Sequence, residues 1–283
     1  LFPTVDMDLI LKAMKKTRPT ILPAVPPVYR RLMDEAKKRG VSLEGIRYAV
    51  SGAMNLPPEL VAEWEEASGG FMVEGYGLTE CAPLVSCNPL NDTRRAGSIG
   101  VPFPSTDIRV VDPETGADVP LGEEGELWVS GPQRFMGYWK REDETAKTIT
   151  PDGWLRTGDI VRLDEDFFIQ IVDRIKEVII TGGFNVSPTE VEVALKQHDT
   201  VADAAVVGIP LPGGGEMVVA AVVPAPGRVV EEHTLREHCY SKVTRYKVPR
   251  RIVVVDDLPR SMLGKVLRRK VREQLIASGD FEQ

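Results

Sequence analysis

The feature that most constrains this chain is a change of hydrophobic period along its length. Up to about residue 90, helical and strand patterns alternate. Leu9, Ile10, Ala13 and Met14 fall on one helical face that Asp6 or Asp8 can open, and Val28, Leu32 and Ala36 fall on a second that follows Pro26 and Pro27. IRYAV (46–50) reads as a strand, and PPELVAEWEEAS (57–68) as a helix with Leu60, Val61, Trp64 and Ala67 inward. Such alternation predicts an α/β layer. From residue 91 the texture changes to short strands, DIRVV (107–111), GELWV (125–129) and FFIQIV (167–172), separated by turns such as DPETG and PDG. Beyond Asp173 a third pattern runs strand EVIIT, helix SPTEVEVALKQ, strands at AAVVGI and VVAAVV, helix EEHTLREHCY, strand RIVVV and a terminal helix whose first turn holds Lys265. The fold expected is therefore α/β plus α+β: a partial α/β subdomain (1–90), a β-rich subdomain (91–172) and a small α+β domain (173–283), the last of about 110 residues and thus of independent size.

The 283 residues, 42% of them apolar, are enough for more than one core. No apolar run reaches the roughly 18 residues that a membrane-spanning helix needs, and no signal leader opens the chain. A cytoplasmic protein with at most a peripheral membrane contact is expected. Three cysteines, Cys81, Cys87 and Cys239, lack C-x-x-C spacing and suggest neither a disulfide framework nor a zinc knuckle. The net charge of −7 speaks against a nucleic-acid partner. Residues 242–272 nonetheless carry eleven Lys or Arg against two acids, Asp256 and Asp257. A solvated basic face and a phosphate-rich small ligand both account for that excess. The chain starts at Leu1 rather than at methionine and enters a helical pattern at once, so a longer parent protein is expected.

Single motifs are weak here. GGFN (182–185) and PGGGE (212–216) are not phosphate loops of the G-x-x-x-x-G-K-[ST] kind and read as turns. His233, His238 and Cys239 lack a fourth ligand at metal spacing. The order of motifs is another matter: SGAMNLPPEL (51–60), EGYGLTE (74–80), GELWVSGPQRFMGYWKREDETA (125–146), GWLRTGD (153–159), VDRIKEVIITGGFNVSPTEVE (172–192), YKVPRR (246–251) and LPRSMLGKVLRR (258–269). In that order they resemble the adenylate-forming superfamily of acyl-CoA synthetases, luciferases and peptide-synthetase adenylation domains. Residues 3–32 and 79–90 are most similar to bacterial long-chain fatty-acyl-CoA ligases.

The resemblance implies a two-step reaction. A fatty acid carboxylate attacks the α-phosphate of Mg-ATP to give an acyl-adenylate, and the thiol of coenzyme A then displaces AMP. It implies that Gly75, Tyr76 and Gly77 lie against adenine, an aromatic flanked by residues without side chains, with Ser51, Gly52 and Ala53 on the same nucleotide side. Asp159 would accept both ribose hydroxyls, with Arg174 nearby on the ribose or phosphate side. Glu80 would help hold Mg²⁺, which prefers oxygen ligands, and Thr79 would contact the α-phosphate. Lys265 would meet the reacting carboxylate and α-phosphate, where a fixed cation lowers the barrier. Asp173 and Lys176 would belong to a hinge about which a mobile C-terminal lid swings. Gly182, Gly183 and Phe184 would border the pantetheine tunnel, and basic residues between Arg245 and Arg251 the coenzyme A phosphates.

Two departures stand out. Leu263 occupies the place where the family has a small hydroxyl residue before the final G-K, and the family's Ser/Thr/Gly-rich phosphate loop is missing from these residues. The resemblance thus implies a C-terminal portion, inactive in adenylation by itself. Other carboxylate-CoA ligases, a fatty-acyl-AMP ligase that loads a carrier protein, and a nucleotide-binding module without catalysis remain alternatives. Homo-oligomerisation also stays open.

Overall fold

The structure, a computed structural model, describes residues 4–212, 214–261 and 264–278. The chain divides into two compact units, one up to Ile171 and one from Val172 on. Among the described residues no helix is long and apolar enough to cross a membrane.

The first unit opens with α1 (Met7–Lys16), β1 (Ile21–Ala24), α2 (Pro26–Lys38), β2 (Tyr48–Ser51), α3 (Pro58–Ser68) and β3 (Phe71–Gly77). The strands β1, β2 and β3 pair in parallel, in that order, and β4 (Leu84–Cys87) and β5 (Val101–Pro102) continue the sheet antiparallel. Helices start where the chemistry allows. Asp6 caps α1 by accepting from the Asp8 and Leu9 amides, whereas α2 and α3 begin at prolines, which have no N–H to leave unsatisfied. Tyr29, Leu32 and Trp64 are almost wholly buried with Leu60 and Met72, and the Tyr29 and Trp64 rings meet edge to face at 4.8 Å.

The helix faces differ in detail from the sequence pattern. With Asp6 as cap, the buried stripe of α1 is Met7, Leu11 and Met14, at i, i+4 and i+7, and Leu9 is 51% exposed. At the end of α3 Ser68 is buried and Ala67 exposed, because Ser68 is the residue one turn beyond Trp64 on the core side.

The four-stranded sheet β6 (Asp107–Val111), β7 (Glu124–Ser130), β8 (Leu155–Leu163) and β9 (Ile169–Arg174) follows, with the short helix α4 (Glu142–Thr148) before β8. The GWLRTGD segment runs into β8, where Leu155 and Val161 are buried beside Leu127 and Val129 of β7.

The second unit contains the hairpin β10 (Ile179–Thr181) and β11 (Phe184–Val186), α5 (Pro188–Lys196), the long strands β12 (Val201–Pro210) and β13 (Glu216–Pro224), α6 (Glu232–Tyr240), β14 (Arg251–Val254) and α7 (Arg268–Ala277). β12 and β13 are antiparallel, and β13 and β14 parallel. Val206, Val218 and Ala220 face Val191 and Leu195 of α5 and Leu235 and Cys239 of α6, while Ala205, Val207 and Val219 face Val271 and Leu275 of α7. A sheet covered on both faces explains the nearly continuous apolar runs of β12 and β13.

One expectation fails here. Lys265 is not in the first turn of a helix: α7 starts only at Arg268, and Val266 forms an antiparallel bridge with Arg260. Leu263 lies outside the described residues.

Candidate nucleotide site and lid residues

In the first unit the residues of interest gather at the C-terminal edge of the parallel strands, the end of an α/β sheet where loops leave room for ligands. β2 ends at Ser51, fully buried, and the loop from Gly52 carries Ala53 in the left-handed region at φ 65°. β3 ends with Gly75, Tyr76 and Gly77, followed by a single 3₁₀ turn, Thr79–Cys81. Gly77 must be glycine for an internal reason: a Cβ there would lie 1.9 Å from the Pro83 carbonyl oxygen. The backbone at Gly77 therefore packs against its own chain.

Tyr76 and Asp159 meet. The Tyr76 hydroxyl donates to Asp159 Oδ2 at 2.5 Å, across 83 positions of sequence, and both residues are buried. Asp159 is itself set by β7: Glu126, 5% exposed, accepts from the Gly158 amide at 3.0 Å and from Trp128 Nε1 at 2.8 Å. Thr157 completes the support by donating to the Leu127 carbonyl at 2.7 Å and accepting from the Asp159 amide at 3.1 Å. Glu126 was not singled out from sequence. An acid followed at i+2 by tryptophan on one strand face was the available signal.

Glu80 is held in place as well. Its side chain accepts from the Tyr138 hydroxyl at 2.7 Å, and its carbonyl from the Phe135 amide at 2.7 Å. Thr79 is exposed one residue before it. Among the described residues there is no group of three or more His, Cys, Asp or Glu suited to a metal ion. One carboxylate such as Glu80 fits Mg²⁺ only together with substrate phosphates and water, which is how that ion is commonly bound.

Glu74, just before the G-Y-G triplet, is 6% exposed and accepts the Leu56 amide at 3.2 Å. Burial pushes its carboxyl up from 4.5 to about 7, with the Leu56 hydrogen bond pulling the other way. A raised carboxyl favours the folded state when protonated, so this contribution is fully present below pH 4.5 and is lost as pH rises through about 7. Glu74→Gln is therefore expected to match wild type near pH 4 and to exceed it by about 3 kcal/mol above pH 8, at roughly 1.4 kcal/mol per pH unit. Urea unfolding of both proteins at the two pH values checks this, and equal midpoints at high pH would contradict it.

In the second unit Asp173 is 4% exposed and accepts from the Ser187 hydroxyl at 2.5 Å and the Thr189 amide at 3.2 Å. Arg174, Ile175 and Lys176 form an exposed turn in which the Arg174 carbonyl accepts the Glu177 and Val178 amides. Gly182 (φ 57°) and Gly183 (φ 81°) make the turn between β10 and β11, a left-handed pair that favours glycine. Phe184, 54% exposed, stacks on Tyr246 with ring centres 4.6 Å apart. Lys265 is tied to Ser261: its carbonyl accepts the Ser261 amide at 2.8 Å, and its amide donates to Ser261 Oγ at 3.2 Å.

The patterns of two related families match this chain. That of the AMP-binding enzyme covers residues 1–139, and that of the AMP-binding enzyme C-terminal domain covers residues 190–265. A long-chain-fatty-acid–CoA ligase of Yersinia pestis is 40% identical over 97% of this chain, which corresponds to 48% of that protein. A feruloyl-CoA synthase of an Amycolatopsis species is 36% identical over 95% of this chain and 54% of that protein. Among solved structures, ATP-bound MatB from Rhodopseudomonas palustris superposes with a TM-score of 0.87 at 35% identity, over 97% of this chain and 54% of that one. The chain thus spans about half the length of the curated relatives it matches. With both family patterns matched in order along a fold shared with solved adenylating enzymes, the chain belongs to the adenylate-forming family of AMP-binding enzymes.

Proposed function

We propose that the protein to which this chain belongs is an ATP-dependent, AMP-forming ligase that joins long-chain fatty acids to coenzyme A. The observation that carries the reading is the meeting of Tyr76 and Asp159, residues of two separate motifs that the resemblance assigns to adenine and ribose. A buried carboxylate already fixed by one hydroxyl donor is suited to accept ribose hydroxyls in a defined direction. The 40% identity to a long-chain-fatty-acid–CoA ligase supports the substrate class.

In this reading the Tyr76 ring packs against adenine, and the loop Ser51, Gly52 and Ala53 closes the nucleotide side. Thr79 meets the α-phosphate. Glu80, steadied by Tyr138, holds Mg²⁺, which when bound neutralises phosphate charge. The Lys265 ammonium offsets the charge that develops between the attacking carboxylate and the α-phosphate. Arg174 serves the ribose or phosphate side, and Lys176, in its exposed turn, is the hinge at which the lid reorients, with Asp173 anchoring the lid side. Gly182, Gly183 and Phe184 line the path of the pantetheine arm.

The experiment is to incubate the full-length protein with Mg-ATP and a panel of fatty and aryl acids, with and without coenzyme A, and to read the products by mass spectrometry. Acyl-CoA from long-chain acids is expected. Aryl-CoA products alone would move the protein toward ligases like the feruloyl-CoA synthase relative, and acyl-AMP accumulating despite coenzyme A would make it a carrier-protein loader. No adenylate from any acid would defeat the proposal.

A further inference from the structure

Ser51 and Glu74 are the last register partners in the parallel pairing of β2 and β3, so their side chains share one face where that pairing ends, at the end of β2 and the middle of β3. Two residues back on that face, Ala49 and Met72 lie in the apolar core. Both polar groups are thus buried where a sheet ordinarily places apolar side chains. The Ser51 hydroxyl has no hydrogen-bond partner among the described residues, and the Glu74 carboxyl takes the Leu56 amide.

That amide ends the loop carrying Ser51, Gly52 and Ala53. Ala53 at φ 65° holds a conformation that residues with a Cβ keep only where their surroundings impose it. At the loop's far end Leu56 is 2% exposed, and its N–H is given to Glu74. A glutamine in place of Glu74 could accept the same N–H without burying a charge. An acid buried in β3 against its own solvation, with its carboxyl on the amide of this loop, points to a use for the charge.

We propose that Glu74 is a positioning residue: its carboxylate, acting through the Leu56 amide, sets the 51–56 loop in the form that receives the nucleotide, and its protonation loosens that loop. This rests on the nucleotide reading given above. Other charged groups on the elements around the same cavity of about 450 Å³ are already engaged: Glu65 of α3 with Arg94 at 2.6 Å, Asp92 with Arg94 at 3.4 Å, and Arg95 with Asp164 and Asp166. Glu74 is buried beside them, accepts the Leu56 amide, and has its carboxyl raised by that burial.

The test is AMP affinity of the full-length protein, wild type and Glu74→Gln, at pH 6 and pH 8.5. The ratio of the two dissociation constants cancels the ionisation of AMP itself. It is expected near one at pH 6 and about three- to tenfold in favour of wild type at pH 8.5, since a charged acceptor makes the stronger hydrogen bond. Glu74→Asp, which keeps the charge but withdraws it from Leu56, is expected to weaken AMP binding at both pH values. A flat ratio in a wild-type protein that binds AMP, or an aspartate variant with unchanged affinity, overturns the positioning role and leaves the nucleotide site standing. Wild-type protein that binds no AMP at either pH overturns both.

Discussion

Lys265→Ala in the full-length protein is expected to slow acyl-adenylate formation about a hundredfold to a thousandfold, the usual loss when a preorganised charge at the transition state is removed. Affinity for AMP should change little, because the proposed contact is made with charge that develops only as the acid attacks. Single-turnover pyrophosphate release, measured beside AMP binding, separates the two. The expectation rests on how firmly the turn is built. Arg260 reaches the Gly264 carbonyl at 3.0 Å and pairs with Asp203 of β12, and the Leu267 amide donates to the Pro259 carbonyl at 2.8 Å. These contacts hold the described residues on both sides of Lys265, so little reorganisation is needed there when the reaction starts. Adenylation at the wild-type rate in the alanine variant would remove Lys265 from the chemical step.

The same turn marks where local sequence ceases to determine structure. LGKVLRRK has helical periodicity, and the sequence alone predicts that Lys265 enters the helix. What overrides it is Arg260, whose partner Asp203 is 57 residues away, together with the bridge from Arg260 to Val266. No window of local pattern contains that information. Asp159 is a related case. The motif GWLRTGD made it a candidate, yet its placement in a strand depends on Glu126 and Leu127 in another strand. By contrast, α2, α3 and the two long strands of the second unit were legible, since prolines mark helix starts and β-branched runs mark buried strands. Glu74 was legible in principle: in FMVEGYG it shares a strand face with Met72, so period-two alternation puts an acid at a core position.

Arg268→Met is the substitution expected to cost the most stability, about 3–5 kcal/mol, because it removes one partner from a buried charge network. The Arg268 guanidinium donates to Glu192 through two nitrogens at 2.8 and 2.7 Å, to Thr189 Oγ1 at 2.9 Å and to Glu177, and lies 4.0 Å from Asp173. Burial works against its charge, yet the Glu192, Glu177 and Asp173 carboxylates outweigh that, so its pKa stands above the ordinary arginine value. Without it, Glu192 at 8% exposure and Asp173 at 4% would be left as buried carboxylates lacking their cation. Guanidinium unfolding followed in the second unit should show the loss, and adding Glu192→Met should restore part of it by replacing the second charge with an apolar group. The network has a functional side. Arg268 opens α7 three residues after Lys265 and fastens that start to α5 and to the 173–177 turn, so one guanidinium fixes both the proposed catalytic lysine and the proposed hinge anchor. If Arg268→Met unfolds at the wild-type midpoint, the lysine turn must be held by Arg260 alone, and the link between lysine and hinge is lost from the mechanism.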